Sequence, residues 1–322
     1  MAGIRERTQI NRGTIRRPTL AALLAVAIAL TAATLPSPAD AQHTKLSLES
    51  TGPDGGNTGQ NADLVGVATA GERTFIRTAE PLVAADTDTS IDLYERTGGG
   101  TTLLSTGSAG GNGPYPVNYA AALEGDDAVF FQTEEQLTGA DTDDALDVYR
   151  RNGPNLGLIS TGPNGGNGPH DAQLVAVSTT GIRIFYATRE PLVAADTDQA
   201  VDIYQRAGGT VTLISTGPQG GNGPWHAELA GISDNGRHVF FETNEQLVAG
   251  DTDGVQDIYE RYDGTTTTQA STGPAGTNMA LPASVDAVTP DGNHVFFTTN
   301  EPLVAADTDD NPDVYELSLI HI

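Results

Sequence analysis

Glu80–Tyr94 reads EPLVAADTDTSIDLY, and the chain repeats it four more times. The copies are Glu135–Tyr149 (EQLTGADTDDALDVY), Glu190–Tyr204 (EPLVAADTDQAVDIY), Glu245–Tyr259 (EQLVAGDTDGVQDIY) and Glu301–Tyr315 (EPLVAADTDDNPDVY). The Asp-Thr-Asp tripeptide begins at Asp86, Asp141, Asp196, Asp251 and Asp307, at spacings of 55, 55, 55 and 56 residues. A second marker, Ser-Thr-Gly, keeps the same period at Ser50, Ser105, Ser160, Ser215 and Ser271. A regular period of this length marks a repeat architecture, in which each unit buries its faces against its neighbours.

Every repeat carries four strand-like runs. In the third they are Gln173–Ser178, Ile184–Thr188, Val201–Arg206 and Thr210–Ser215, rich in branched and aromatic residues. Thr180-Gly181 and Ala207-Gly208-Gly209 separate them as turns, and Asn235-Gly236 and Asp291-Gly292 are hairpin dipeptides in later repeats. The second run carries adjacent bulky pairs: Phe130-Phe131, Phe185-Tyr186, Phe240-Phe241 and Phe296-Phe297. Neighbours in a strand point to opposite faces, so both faces must be buried, as between stacked blades. The expected fold is all-β, a β-propeller of four-stranded antiparallel blades. Five blades are visible, in a larger ring if the chain continues. A β-solenoid or an open array of blades is the alternative. Lys45–Ser50 aligns with a fourth strand and is expected to fill the place missing from the last repeat, closing the ring.

Ser233-Asp234-Asn235-Gly236-Arg237-His238-Val239-Phe240-Phe241 followed by Asp257-Ile258-Tyr259 resembles the blade of the TolB-like, WD-repeat-like propellers. Asp291-Gly292-Asn293-His294-Val295-Phe296-Phe297 with Asp313-Val314-Tyr315 matches as well. The resemblance covers about residues 45–316 and implies the fold; an envelope partner, by analogy, is what it implies about function. The departure from the family pattern is the long EPLVAADTD insert.

Arg5, Arg7, Arg12, Arg16 and Arg17 precede the apolar Leu20–Leu30, and Ala39-Asp40-Ala41 is an A-x-A site. Residues 1–41 are expected to be a secretory signal peptide, too short in its apolar core for a membrane span. The mature protein would be secreted or periplasmic, with the propeller over residues 42–316. Leu317–Ile322 (LSLIHI) breaks the repeat, matches one reading frame of a transposon-end adapter, and is expected to be a non-native tail. The chain has no cysteine, hence no disulfide framework. Its formal net charge is −26. Without residues 1–41, which hold five arginines and two acids, 11 basic face 40 acidic residues, a net of −29. Such a surface excludes nucleic acid and anionic membranes as partners and leaves cations, basic partners or plain solubility. A monomer is expected.

The up-and-down blade sends its two long connections to one side, where function on rigid scaffolds collects. The acidic connection offers Asp86, Asp88, Asp92; Asp141, Asp143, Asp147; Asp196, Asp198, Asp202; Asp251, Asp253, Asp257; and Asp307, Asp309, Asp313. Closely spaced carboxylates suit Ca²⁺, a hard cation that takes oxygen ligands. The same residues also suit Asx-turns and strand caps, which would explain their recurrence without a metal. The Gly-Asn-Gly-Pro loops at 111–114, 166–169 and 221–224 are followed by Tyr115, His170 and Trp225. These three could bind a protein or glycan by stacking, or pack on their own loops. No G-x-S-x-G elbow and no metal-binding histidine spacing occurs, so a scaffold is favoured over an extracytoplasmic polysaccharide hydrolase or lyase.

Overall fold

The computed structural model describes residues 46–274 and 278–319. The expected signal peptide over residues 1–41, Lys45 and the last three residues of the expected tail lie outside the described residues. Leu48–Ile322 forms one compact unit.

Among the described residues, nineteen strands build five antiparallel sheets, each a meander in chain order. The first blade is β1 (Ala62–Ala68), β2 (Arg73–Thr78), β3 (Asp92–Thr97) and β4 (Gly100–Leu103). The second is β5 (Asn118–Ala122), β6 (Ala128–Thr133), β7 (Asp147–Asn152) and β8 (Asn155–Leu158). The third is β9 (Ala172–Val177), β10 (Arg183–Thr188), β11 (Asp202–Ala207) and β12 (Thr210–Leu213). The fourth is β13 (Ala227–Ile232), β14 (His238–Thr243), β15 (Asp257–Tyr262) and β16 (Thr266–Gln269). The fifth has β17 (Ala283–Val288), β18 (His294–Thr299) and β19 (Asp313–Ser318) only. The strand runs expected from the third repeat agree with β9–β12 to within a residue or two. This is a propeller-type all-β fold built of blades.

The adjacent bulky pairs do what their alternation requires. Phe130 joins Ile184, Tyr186 and Tyr204 of the third blade, while Phe131 joins Phe75 and Leu93 of the first. Both rings are fully buried. Phe185 likewise faces Val239 and Phe241 of the next blade. Burying a side chain of this size is worth about 1.5–3 kcal/mol, so the blade junctions hold most of the stability. Tight turns close the other side; Gly98 and Gly99 sit at φ 56° and 89°, as a two-residue hairpin of the primed type needs. The first strand of every blade also carries a register shift, between Leu64/Gly66 and at the matching positions of the others. Such a bulge bends the strand and strengthens its twist.

Two expectations about the ends are corrected. Leu48–Ser50 forms no strand and does not join the fifth sheet, which stays three-stranded. The segment is held against the first blade instead. Arg96 pairs with Glu49 at 3.4 Å and donates to the Thr51 carbonyl at 2.8 Å. Arg151 and Arg206 make the same backward grip on the blade before them, onto Leu104 O at 2.9 Å and Thr161 O at 2.9 Å. Residues 49–51 thus stand where the end of a preceding fourth strand would stand. Nor does the fifth blade close on the first: Val314 is 71% exposed and Leu64 is 65% exposed, although the residues matching Val314 in the other blades are fully buried. The strand β19 also runs on through Leu317 and Ser318.

Candidate functional site

The 13-residue connection from β2 to β3 and the loop from β4 to β5 emerge on the same side of the blade, and the same holds in each later blade. Their hydrogen bonds explain most of the repeat.

The glutamate that opens each acidic stretch holds the loop arriving from the blade before. Glu135 Oε1 accepts from the backbone N–H of Gly111 at 2.6 Å, Asn112 at 3.0 Å and Gly113 at 2.8 Å. Glu80 and Glu245 do the same to Gly56–Thr58 and Gly221–Gly223. Gly111 lies at φ 121°, and a Cβ there would run into Thr106, so only glycine presents its N–H this way. From the other side, Asn112 Oδ1 accepts from the Thr87 N–H at 2.5 Å, and Asn167 and Asn222 serve Thr142 and Thr197. Each Gly-Asn-Gly-Pro loop is therefore tied to both blades it joins. The recurrence of Glu about 24 residues after the Gly-Gly pair was the signal for this clamp; sequence reading spent it on the acidic run.

The acid triads come next. In the first blade Asp86 Oδ1 accepts from the Asp88 N–H at 3.2 Å, and its other oxygen takes the Tyr94 hydroxyl proton in a short bond. Asp88 Oδ1 accepts from the Ser90 N–H at 2.5 Å. Asp92 Oδ1 accepts from Ser105 Oγ at 2.5 Å, and Ser105 Oγ itself accepts from the Leu93 N–H at 3.0 Å. The next three blades repeat the pattern with Tyr149, Tyr204, Tyr259 and Ser160, Ser215, Ser271. Turn and cap chemistry is thus present at the first four triads, and turn chemistry alone at the fifth.

It does not use up the carboxylates. The Oδ2 atoms of Asp92, Asp147, Asp202 and Asp257 are buried without a hydrogen-bond partner, in residues only 3–6% exposed. Burial pushes these carboxyls up, Asp92 and Asp147 to about 7, Asp202 to about 8 and Asp257 to about 6; the serine bonds oppose the shift and neighbouring aspartates add to it. In each triad, the fifth included, one oxygen from every carboxyl lies within 4.8 Å of the other two. Two oxygens on one Ca²⁺ at about 2.3–2.6 Å can be up to about 5 Å apart, so the spread fits one ion. All-oxygen donors suit a hard divalent cation and not zinc. Asp307, Asp309 and Asp313 are more exposed than their counterparts, and Asp313 has no fourth-strand serine.

The three expected contact residues sit on successive inter-blade loops, and His170 and Trp225 line different clefts. Tyr115 is half-buried with its ring against Gly113. His170 lines a cleft of about 350 Å³ with Gln173 and Arg189. Trp225, 48% exposed, lines another of about 410 Å³ with Glu245, Gln246 and Asp253. Among the described residues no helix is long and apolar enough to cross a membrane.

Fold and site together define a propeller-type protein with a cation-suited acid triad in each blade. No protein-family model matches the chain, and no curated protein does. Solved structures of propeller type are similar to it. One is a prolyl endopeptidase, at 13% identity and TM-score 0.45, covering 80% of this chain and 34% of the other. A second is an oligogalacturonate lyase in complex with manganese, at 14% identity and TM-score 0.40, covering 78% and 61%. A third is a Penicillium chrysogenum alpha-L-arabinanase complexed with arabinobiose, at 14% identity and TM-score 0.32, covering 78% and 73%. The chain thus spans about a third of the first protein's length and about three-fifths of the second's. These likenesses concern the fold.

Proposed function

We propose that the protein is a secreted or periplasmic binding scaffold of the TolB-like kind, whose acid triads hold divalent cations, calcium first. The observation that carries this is the orphaned Oδ2 in four successive blades. A buried carboxylate oxygen without a partner is costly, and the same cost repeated four times at one spacing points to a common ligand. The triads would fasten the acidic loops, and the long-loop side would then present Tyr115, His170 and Trp225 to a protein or glycan. The signal peptide read from residues 1–41 supports an extracytoplasmic, calcium-rich setting. The alternative, a polysaccharide hydrolase or lyase, keeps the same side of the fold. The acids, however, converge on one another and on their own blade rather than across a cleft.

Thermal unfolding of the chain in Ca²⁺ and in EDTA tests the reading, because a ligand held only by the native state raises the melting temperature with concentration. A rise at millimolar Ca²⁺ that Mg²⁺ does not reproduce, reduced in Asp147→Asn and in Asp202→Asn, is the expected outcome. An unchanged melting temperature would reduce the triads to turns and caps.

A further inference from the structure

Repeats show what the architecture demands, and a position that leaves the repeat is free to serve something else. At each blade junction, one such position is the first residue after the second strand, which opens the acidic connection. Its counterpart in the repeat is the second residue after Gly-Asn-Gly-Pro, or the equivalent position where that tetrapeptide is absent. The pairs are Ala79 with Pro116, Glu134 with Asp171, Arg189 with His226, and Asn244 with Pro282. Three junctions have no cation there. The third-to-fourth junction has two basic side chains, in a chain of net charge −26.

Their geometry is unusual. The Val201 N–H donates to His226 Nδ1 at 2.7 Å, as the Leu146 N–H donates to Asp171 Oδ1 at 3.0 Å one blade earlier. An imidazole nitrogen that accepts carries no proton, so the ring is neutral and its hydrogen sits on Nε2. Nε2 lies 3.3 Å from Arg189 Nη2. Two N–H donors therefore meet with no acceptor between them. Arg73 and Arg183, by contrast, pair with Glu95 and Asp263, and Arg206 grips carbonyls. Among the described residues Arg189 has no carboxylate or carbonyl in hydrogen-bond reach. It borders the cleft of about 550 Å³ that also holds His226, Asn222 and Pro224, and a second cleft with His170. Asp198 lies on the rim of the first, and its Oδ1 accepts from the Ala200 N–H at 2.5 Å.

We propose that Arg189 and His226 form an anion site that takes a single carboxylate or phosphate group of a ligand, accepting from Arg189 Nη2 and His226 Nε2 together. A charge-assisted pair of donors on one oxygen removes the donor-to-donor contact and gives the bond its strength. The proposal deepens the binding-scaffold reading, since both residues stand on the long-loop side; it uses no triad carboxylate, although Asp198 of the third triad lines the same cleft.

The test is NMR titration of the full chain with sodium acetate and, separately, inorganic phosphate, at constant ionic strength against chloride. The expected result is a saturable shift of the His226 ring proton and the Val201 amide. The acetate and phosphate arms distinguish a carboxylate ligand from a phosphate one. Arg189→Gln, an exposed change, should weaken the binding at least tenfold. His226→Asp should abolish it while keeping the fold, because Asp supplies the acceptor for Val201, as Asp171 does for Leu146, and places its own carboxylate against Arg189. No saturable shift with either anion, or equal binding by the wild-type and Arg189→Gln chains, overturns the proposal. Running both arms in EDTA and in Ca²⁺ separates its failure from that of the triads.

Discussion

The second and fifth blades share a sequence pattern and differ in what surrounds it. Tyr149 and Tyr315 both donate to the first aspartate of their triad, and the Asx-type turn at the second aspartate forms in both. Asp147 is buried beneath Ser160 and the third blade, whereas Asp313, without a fourth strand or a following blade, is exposed. The turn is therefore encoded within the connection itself. The buried, orphaned carboxylate is a property of two adjacent blades and a fourth strand. A cation site of the interior kind needs neighbours as well as aspartates.

The sharpest way to break this contrast is a charge on the forward face. Val148→Asp puts an unpaired carboxylate into a fully buried position and should cost on the order of 4 kcal/mol or more, enough to prevent folding. Val314→Asp, at the matching exposed position, should change stability by about 0.5 kcal/mol or less in urea unfolding. Equal losses would mean that the fifth blade is covered in solution. A smaller effect is expected from Ser160→Ala, which removes the donor to Asp147 and the acceptor for the Val148 N–H; about 1–3 kcal/mol should be lost, and calcium should return part of it.

The remaining contrast is the pH dependence. Asp92, Asp147, Asp202 and Asp257 have folded values raised above the ordinary carboxylate range, to about 6–8. The folded state then binds more protons than the unfolded one between about pH 4 and these values. Their contribution is fully favourable below about pH 4 and is lost as pH rises through 6 to 8. In EDTA, urea unfolding at pH 5 and pH 8 should show the protein weaker at pH 8. Asp147→Asn should make the fall shallower, and saturating Ca²⁺ should remove it.

The period, the four strands and the buried pairs were legible because each leaves a mark within a few residues: alternation, hairpin dipeptides, adjacent aromatics. The clamps were not. Glu135 reaches back 22–24 residues to three backbone amides, and Arg151 reaches back 45–47 to carbonyls. A side chain that bonds to backbone specifies no partner residue type, so only the recurrence of Glu and of Tyr-x-Arg was visible. The fifth repeat has Leu317 where the others have that arginine, and Leu317 packs instead against the apolar cluster that joins the fourth and fifth blades. Ring closure by Lys45–Ser50 was misjudged for a related reason. Alignment with a fourth strand fixes which sheet a segment resembles, while the grip of Arg96 decides where it stays. Arg189 and His226 showed only as departures from the repeat, and their meeting needed coordinates.

The reciprocal ties of the Gly-Asn-Gly-Pro loops also have a mechanical consequence. Each interior loop is fastened both ahead, to a glutamate, and behind, to a threonine amide, so tension applied along the chain is shared between two seams at every junction. A blade with a neighbour on only one side lacks one of them. A repeat that gives way under load releases a length of about 180–200 Å when fully stretched.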